Sequence, residues 1–374
     1  QVILIITNDA IEVMSRFRNR MLLLVLGTLV PAGPLQAQTE LVPDLTFLPT
    51  DLETGETEHR FGNKVAFDGN LIVVGVPYAA GDDGGTPIEK VGKVYVFDRS
   101  SATPTTPIHV IENPAPLVEF GQVSNEGELF GISVAVEGTR VAIGCLEQIY
   151  GGNGEGVGAV WIYDVSGASP VLELHLFHPE ARWHDNFGRG IDLDGDRLAV
   201  GAPSSTVLGQ SVNPGKVFVF DLSLPDPSKW IYAIRPQIDR NRQGTQVQLE
   251  GRFLAIGSPG AVSQSGQIIV YDLDTLTPSP HPSIDYDPTE RLMLGATTPV
   301  SGAELGHRMN LQGGQLVAGY YHGRGPSPDN HISSGQVFVW DLASHLPYTT
   351  DEVRAPNHVI ENPSPDQDDY FGGA

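Results

Sequence analysis

Apolar residues fall in short runs along most of this chain, each run closed by Gly, Pro or Asp. The stretch Phe187 to Asp221, FGRGIDLDGDRLAVGAPSSTVLGQSVNPGKVFVFD, shows the pattern once. Gly190 to Leu193 leads into the turn Asp194-Gly195-Asp196, and Arg197 to Gly201 follows and ends at Ala202-Pro203. After a loop, Lys216 to Asp221 alternates valine with phenylalanine. Runs of this length, rich in β-branched and aromatic residues and punctuated by turn formers, predict strands and not helices.

The same unit recurs, so the chain is read first as a repeat. Copies open at Phe61-Gly62, Phe130-Gly131, Phe187-Gly188, Gln243-Gly244 and Leu305-Gly306, and a further one opens at Phe371-Gly372, where the sequence ends. Each full copy ends in a run such as GKVYVFD at Asp98, GAVWIYD at Asp164, GQIIVYD at Asp272 or GQVFVWD at Asp341. The copy at Gln243 is worn, with glutamine where the others carry Phe or Leu. An apolar run ending in proline precedes each following copy: HVIENP at Pro114, LHLFHP at Pro179, IYAIRP at Pro236, LMLGATTP at Pro299 and HVIENP again at Pro363. These runs predict a fourth strand per unit.

Four antiparallel strands repeated radially predict an all-β chain folded as a β-propeller, with five near-complete blades and the start of another. The third strands are apolar on both faces because each face of a blade is covered by a neighbour. Thr46 to Pro49 has the outer-strand pattern without inner strands of its own, and is expected to complete the final blade.

The pattern FG…VAV.G..VAVGAP…GKVYVFD resembles the FG-GAP repeat, the blade unit of integrin α-subunit propellers and of many secreted bacterial proteins. The resemblance covers roughly residues 41 to 374. It implies a ring of seven blades, the usual number in that family, although six would close soonest. It also implies an extracellular setting and a binding or adhesive role. Integrin-type repeats carry an Asp-x-Asp/Asn-x-Asp-Gly-x-x-Asp calcium loop between strands one and two, and calcium asks for six or more oxygen ligands. This sequence departs from that loop. Asp192-Leu-Asp194-Gly-Asp196 comes closest, in a turn too short to wrap an ion. Asp82 and Asp83, in the first long loop, are the calcium candidates, and otherwise no cofactor is expected.

Residues 1–13 are read as upstream edge residues and 14–37 as a signal peptide. Basic Arg16, Arg18 and Arg20 precede an apolar stretch from Met21 to Val30 that is too short to span a bilayer, and Leu35-Gln36-Ala37 supplies a cleavage site. Residues 38–374 are the propeller, truncated at its C-terminus. The mature domain is expected outside the cell, with no membrane insertion. The lone Cys145 stands where other copies carry Ala or Ser, so it is a small buried residue and forms no disulfide within the chain. A formal charge of −23 argues against nucleic acid or an anionic membrane as partner.

In a four-stranded meander the first-to-second turns lie on one rim and the second-to-third and blade-to-blade loops on the other. The former are uniformly tight, as in Glu137-Gly138-Thr139 and Glu250-Gly251-Arg252, whereas the latter are long and diverse. Variable loops on a rigid scaffold are where binding is usually placed. Tyr150, Tyr320, Tyr321, His322 and Arg324 are the ligand-face candidates. Catalytic patterns are absent: there is no G-x-S-x-G, H-E-x-x-H or phosphate loop. His178, His184 and Asp185 before Phe187, and His322 and His331 in the fifth long loop, are read as solvated loop residues. Ser204-Ser205 have no evident base. The expected function is a secreted or cell-surface, non-catalytic binding, adhesion or scaffolding module for an extracellular protein or glycan. The alternatives are an extracellular polysaccharide-active enzyme and a structural propeller within a larger exported protein.

Overall fold

The structure, a computed structural model, describes residues 5–6, 45–47, 59–83, 86–88, 90–114, 128–146, 156–180, 185–205, 214–234, 242–276, 291–320, 335–345 and 352–362. The signal-peptide assignment at 14–37 and the sixth repeat start at Phe371 lie outside them.

The described residues form an all-β propeller of five four-stranded antiparallel blades, and each of these strands falls on a run that the sequence marks. Blade 1 is Lys64–Asp68, Leu71–Val76, Lys93–Asp98 and His109–Glu112. Blade 2 is Ser133–Glu137, Arg140–Cys145, Ala159–Asp164 and Val171–Phe177. Blade 3 is Gly190–Asp194, Arg197–Ala202, Lys216–Asp221 and Trp230–Ile234. Blade 4 is Val247–Glu250, Phe253–Ser258, Gln267–Asp272 and Arg291–Leu294. Blade 5 is Met309–Gln312, Gln315–Tyr320, Gln336–Asp341 and His358–Glu361.

Several additions were not marked by the sequence. Val353–Arg354 adds a fifth, parallel strand to blade 4 beside Arg291–Leu294, so the last connection reaches back over the preceding blade. Ala261–Gln264 forms one helical turn in blade 4's second-to-third connection. Gly81–Asp83 pairs with Thr86–Ile88 as a small hairpin inside the first long loop.

Blades pack face to face, and period-2 alternation decides which neighbour each side chain meets. On the third strand of blade 3, Phe218 and Phe220 pack against blade 2, while Val217 and Val219 pack against blade 4. The blade-entry residue seals each seam from the next blade along. Phe130, Phe187 and Leu305 are each fully buried in the seam with the blade before them. The glycine that follows makes the approach possible. Gly244 adopts φ +85, and a Cβ on Gly201 of blade 3 would fall on its carbonyl oxygen. The pairs Gly75/Gly131, Gly144/Gly188 and Gly257/Gly306 repeat that contact at the other seams. The glycines of the FG and GAP elements are therefore partners across blades, backbone against backbone.

The Asp that ends each third strand has a local cause. Asp98, Asp164, Asp221, Asp272 and Asp341 each accept the backbone N–H two residues on, fixing the turn into the fourth strand. The amide of Ser166 holds the Asp164 carboxyl below the usual carboxylate range.

Leu45–Thr46 pairs with Ile5–Ile6, residues that the sequence reading placed upstream of the leader. Phe47 is fully buried on the face of blade 1 turned away from blade 2, edge-on to Phe97 with ring centroids 4.9 Å apart. No helix among the described residues is long and apolar enough to cross a membrane.

Candidate functional site

The inner strands of all five blades line one central cavity. Alternate residues point into the seams as apolar wedges, such as Val134 and Val136 or Ile191 and Leu193. The intervening positions form three layers along the axis. Lys64, Ser133, Gly190, Gln246 and Arg308 stand where the strands begin, Ala66, Ala135, Asp192, Gln248 and Asn310 in the middle, and Asp68, Glu137, Asp194, Glu250 and Gln312 at the tight-turn end.

An inner strand has one unpaired edge, and its N–H and C=O groups need partners. They receive them from side chains of the preceding blade. In the middle layer Leu249 N donates to Asp192 Oδ2 at 2.6 Å, and Leu311 N donates to Gln248 Oε1 at 3.3 Å. In the first layer Gln246 takes both groups of Met309, with Nε2 donating to the carbonyl at 2.8 Å and Oε1 accepting from the amide at 3.3 Å. At the turn end, Gly138 N donates to Asp68 at 2.6 Å and Gly251 N to Asp194 at 2.6 Å. Glu250 accepts from Gly313 N and Gly314 N at 2.5 and 2.9 Å.

The acids of the tight turns thus tie blade 1 to blade 2, blade 3 to blade 4 and blade 4 to blade 5. Asp192 and Asp194, the nearest approach to a calcium loop, have their carboxylates engaged by backbone amides, and Asp192 also accepts from Leu193 N at 3.0 Å. Among the described residues no group of three or more His, Cys, Asp or Glu is placed to hold a metal ion. Asp82 and Asp83, the calcium candidates of the sequence, stand in the hairpin opposite Pro87 and Thr86.

The opposite mouth is basic. Lys64 and Arg308 line the cavity there, and Arg189 follows the blade-entry glycine of blade 3. Burial, and then the charge of Arg308, push the Arg189 guanidinium below its ordinary value, against an opposing contribution from Tyr78. His307 is pushed down to about 4, first by burial and then by Arg308, Arg189, Lys64 and Arg242. It is therefore neutral at neutral pH. Arg60 stacks over the Tyr78 ring, 4.2 Å from its centroid. Every entry turn here holds a non-glycine residue at positive φ: Arg60, Leu129, Asn186, Arg242 and Glu304 lie between 49° and 57°. Sequence reading missed this cluster because each cation belongs to a different repeat. The signal was the pair of positions after each entry glycine, Asn63-Lys64, Arg189-Gly190 and His307-Arg308.

His178 and Asp185, expected to be solvated, are 3% and 1% exposed. Residues flanking a blade entry are carried into the seam with it, which is why loop-like sequence became interior. His178 packs edge-on against Phe187 and Phe218 at 5.5 and 5.1 Å. Its Nδ1 accepts Glu180 N at 3.0 Å, and its Nε2 lies 3.3 Å from Asp185 Oδ2. The imidazole thus faces Glu180 and Asp185, and the Oγ of Ser204 instead accepts from Asn186 Nδ2 at 2.9 Å. Beside them Lys216 Nζ and Glu180 Oε2 pair at 2.5 Å.

Tyr320, a ligand-face candidate, is withdrawn into the seam between blades 4 and 5. It is 2% exposed, stacks on Phe338 at 4.9 Å, and bonds through its hydroxyl to Val300 N and Ser265 Oγ at 2.7 and 3.1 Å. It closes a second strand, and the sequence could not separate it from the loop that begins at the next residue. Tyr150, Tyr321, His322 and Arg324 lie outside the described residues, as do His184 and His331. Cys145 is buried, with Sγ donating to Glu128 O at 3.2 Å.

Seams of paired glycines, a polar axial cavity and one rim of interlocked turns define a repeat-built β-propeller that offers a binding or scaffolding surface. The family model for the FG-GAP repeat matches residues 52–97 and 172–220. The first match takes in the first two strands of blade 1 and all but the last residue of its third, and the second takes in the corresponding strands of blade 3, so two blades of this propeller match the FG-GAP repeat. No curated protein matches the chain.

Proposed function

We propose that this chain is a secreted or cell-surface, non-catalytic binding or scaffolding module. It presents the rim of long loops and blade entries to an extracellular protein or glycan. The observation that supports this most is the difference between the two rims. On the tight-turn rim, acid side chains and turn amides bind one another from blade to blade, which leaves one repeated and closed surface. On the other rim the connections differ from blade to blade in length and chemistry. The basic, apolar and cleavage-site pattern of residues 14–37 supports export.

The test is a binding screen against extracellular matrix proteins and glycans with three forms of the chain. One is native, one has residues 80–86 and 321–333 replaced by short Gly-Ser linkers, and one carries Asn70→Lys and Asp196→Lys on the tight turns. Binding should be lost on loop replacement and kept in the turn variant. Binding that survives loop replacement but disappears on recharging the turns would reverse the assignment of rims.

A further inference from the structure

Several cations on this acidic chain stand beside acids. Arg140 lies against Glu173 and Asp196 at 2.9 and 3.1 Å, Lys216 against Glu180 at 2.5 Å, Arg252 against Asp272 at 3.1 Å, and Lys93 against Glu112 at 3.3 Å. Arg189 and Arg308 at the channel mouth break that habit. Arg189 from blade 3 and Arg308 from blade 5 repel one another, and no carboxylate pairs with either among the described residues. Lys64 from blade 1 and Arg242 from the connection into blade 4 add their charges at His307. Asp192, one layer deeper, has its carboxylate held by the amides of Leu193 and Leu249.

Gathering like charges in a partly dehydrated space is unfavourable unless a counter-charge enters. The axial cavity below the mouth has a volume of about 80 Å³, room for a few waters or one compact anion. Guanidinium groups are suited to this, since their fork of N–H donors matches the oxygens of a tetrahedral oxyanion and is weakly hydrated.

We propose that the channel mouth, formed by Arg189, Arg308 and Lys64, binds a phosphate- or sulfate-sized oxyanion, free or carried on a sugar. The site lies at the centre of the same rim but goes beyond the reading above, because these three side chains stand on blade entries and inner strands, and replacing the long loops leaves all three in place. His307, uncharged, adds a neutral ring beside the anion. The bound group would relieve the repulsion between blades 3 and 5 and so tighten the inner ring.

The test uses the full chain in inorganic phosphate, in glucose 6-phosphate and in chloride at matched ionic strength. Phosphate or the sugar phosphate should raise the melting temperature over chloride by ~2 °C, as a ligand present at about ten times its Kd does for a domain of this size. The Arg189→Gln/Arg308→Gln pair should lose the rise, and Arg140→Gln on the opposite rim should keep it. A rise with both ligands places the group on a carrier as well as free, and a rise with phosphate alone restricts the site to the free ion. Because the double variant can misfold, the native chain supplies a second readout. The His307 ring resonances should titrate at higher pH in phosphate than in chloride, since an adjacent anion favours the imidazolium. Equal melting and an unmoved His307 titration in all three solutions would overturn the proposal. A folded double variant with the full rise would overturn it too.

Discussion

Gln243 occupies the position that Phe130, Phe187 and Leu305 fill at the other described seams, and it is fully buried with neither its amide nitrogen nor its oxygen bonded. A buried amide without partners costs about 1–3 kcal/mol. Gln243→Leu, which copies the residue of the neighbouring repeat, should therefore stabilise the chain by about 1–2 kcal/mol. A urea unfolding midpoint that moves up confirms this, and one that moves down shows that the socket between blades 3 and 4 is shaped for the amide. The glutamine was legible as a departure from the repeat. Its orphaned amide was not, because that depends on what Tyr232, Tyr271 and Leu249 of the same seam turn toward it. His178 and Asp185 show the same limit in reverse, since polar residues in a loop-like stretch read as solvated until the seam closes over them.

The alternation of each inner strand was legible, and so were its wedge residues. What could not be read was the destination of the polar positions. The bond from Leu249 to Asp192 joins residues 57 apart in sequence, and that from Leu311 to Gln248 joins residues 63 apart. Each spans one blade, so a side chain that looks idle within its own repeat completes the edge of the next. Asp192→Ala should leave the Leu249 amide unpaired and cost about 1–3 kcal/mol. Hydrogen exchange at Leu249 should speed up more than at Leu254, its cross-strand partner inside the same blade. Equal acceleration at both would show that Asp192 acts on the whole blade and not on its edge.

At the scale of the molecule, charge is sorted along the axis. Acids gather at the tight-turn end, where backbone amides of the next blade receive them, and cations gather at the mouth, on the rim of the long loops. This sorting follows from five repeats that differ at homologous positions. The blades were visible in the sequence because strand and turn signals are local, whereas the mouth emerged only when the repeats closed around one cavity. Phe47 packs on the face of blade 1 turned away from blade 2, while its neighbours Leu45–Thr46 pair with Ile5–Ile6 and not with that blade.

The central claim is that the acids of the tight turns are ties between blades and not ligands for an ion. Thermal melting of the native chain and of Glu250→Ala, each in calcium and in EDTA, tests it most directly. The account predicts that the native chain melts alike in both. Glu250→Ala, which loses the bonds to Gly313 and Gly314, should melt a few degrees lower by the same margin in both. A native melting temperature that rises in calcium, with the rise erased by Glu250→Ala, would contradict it.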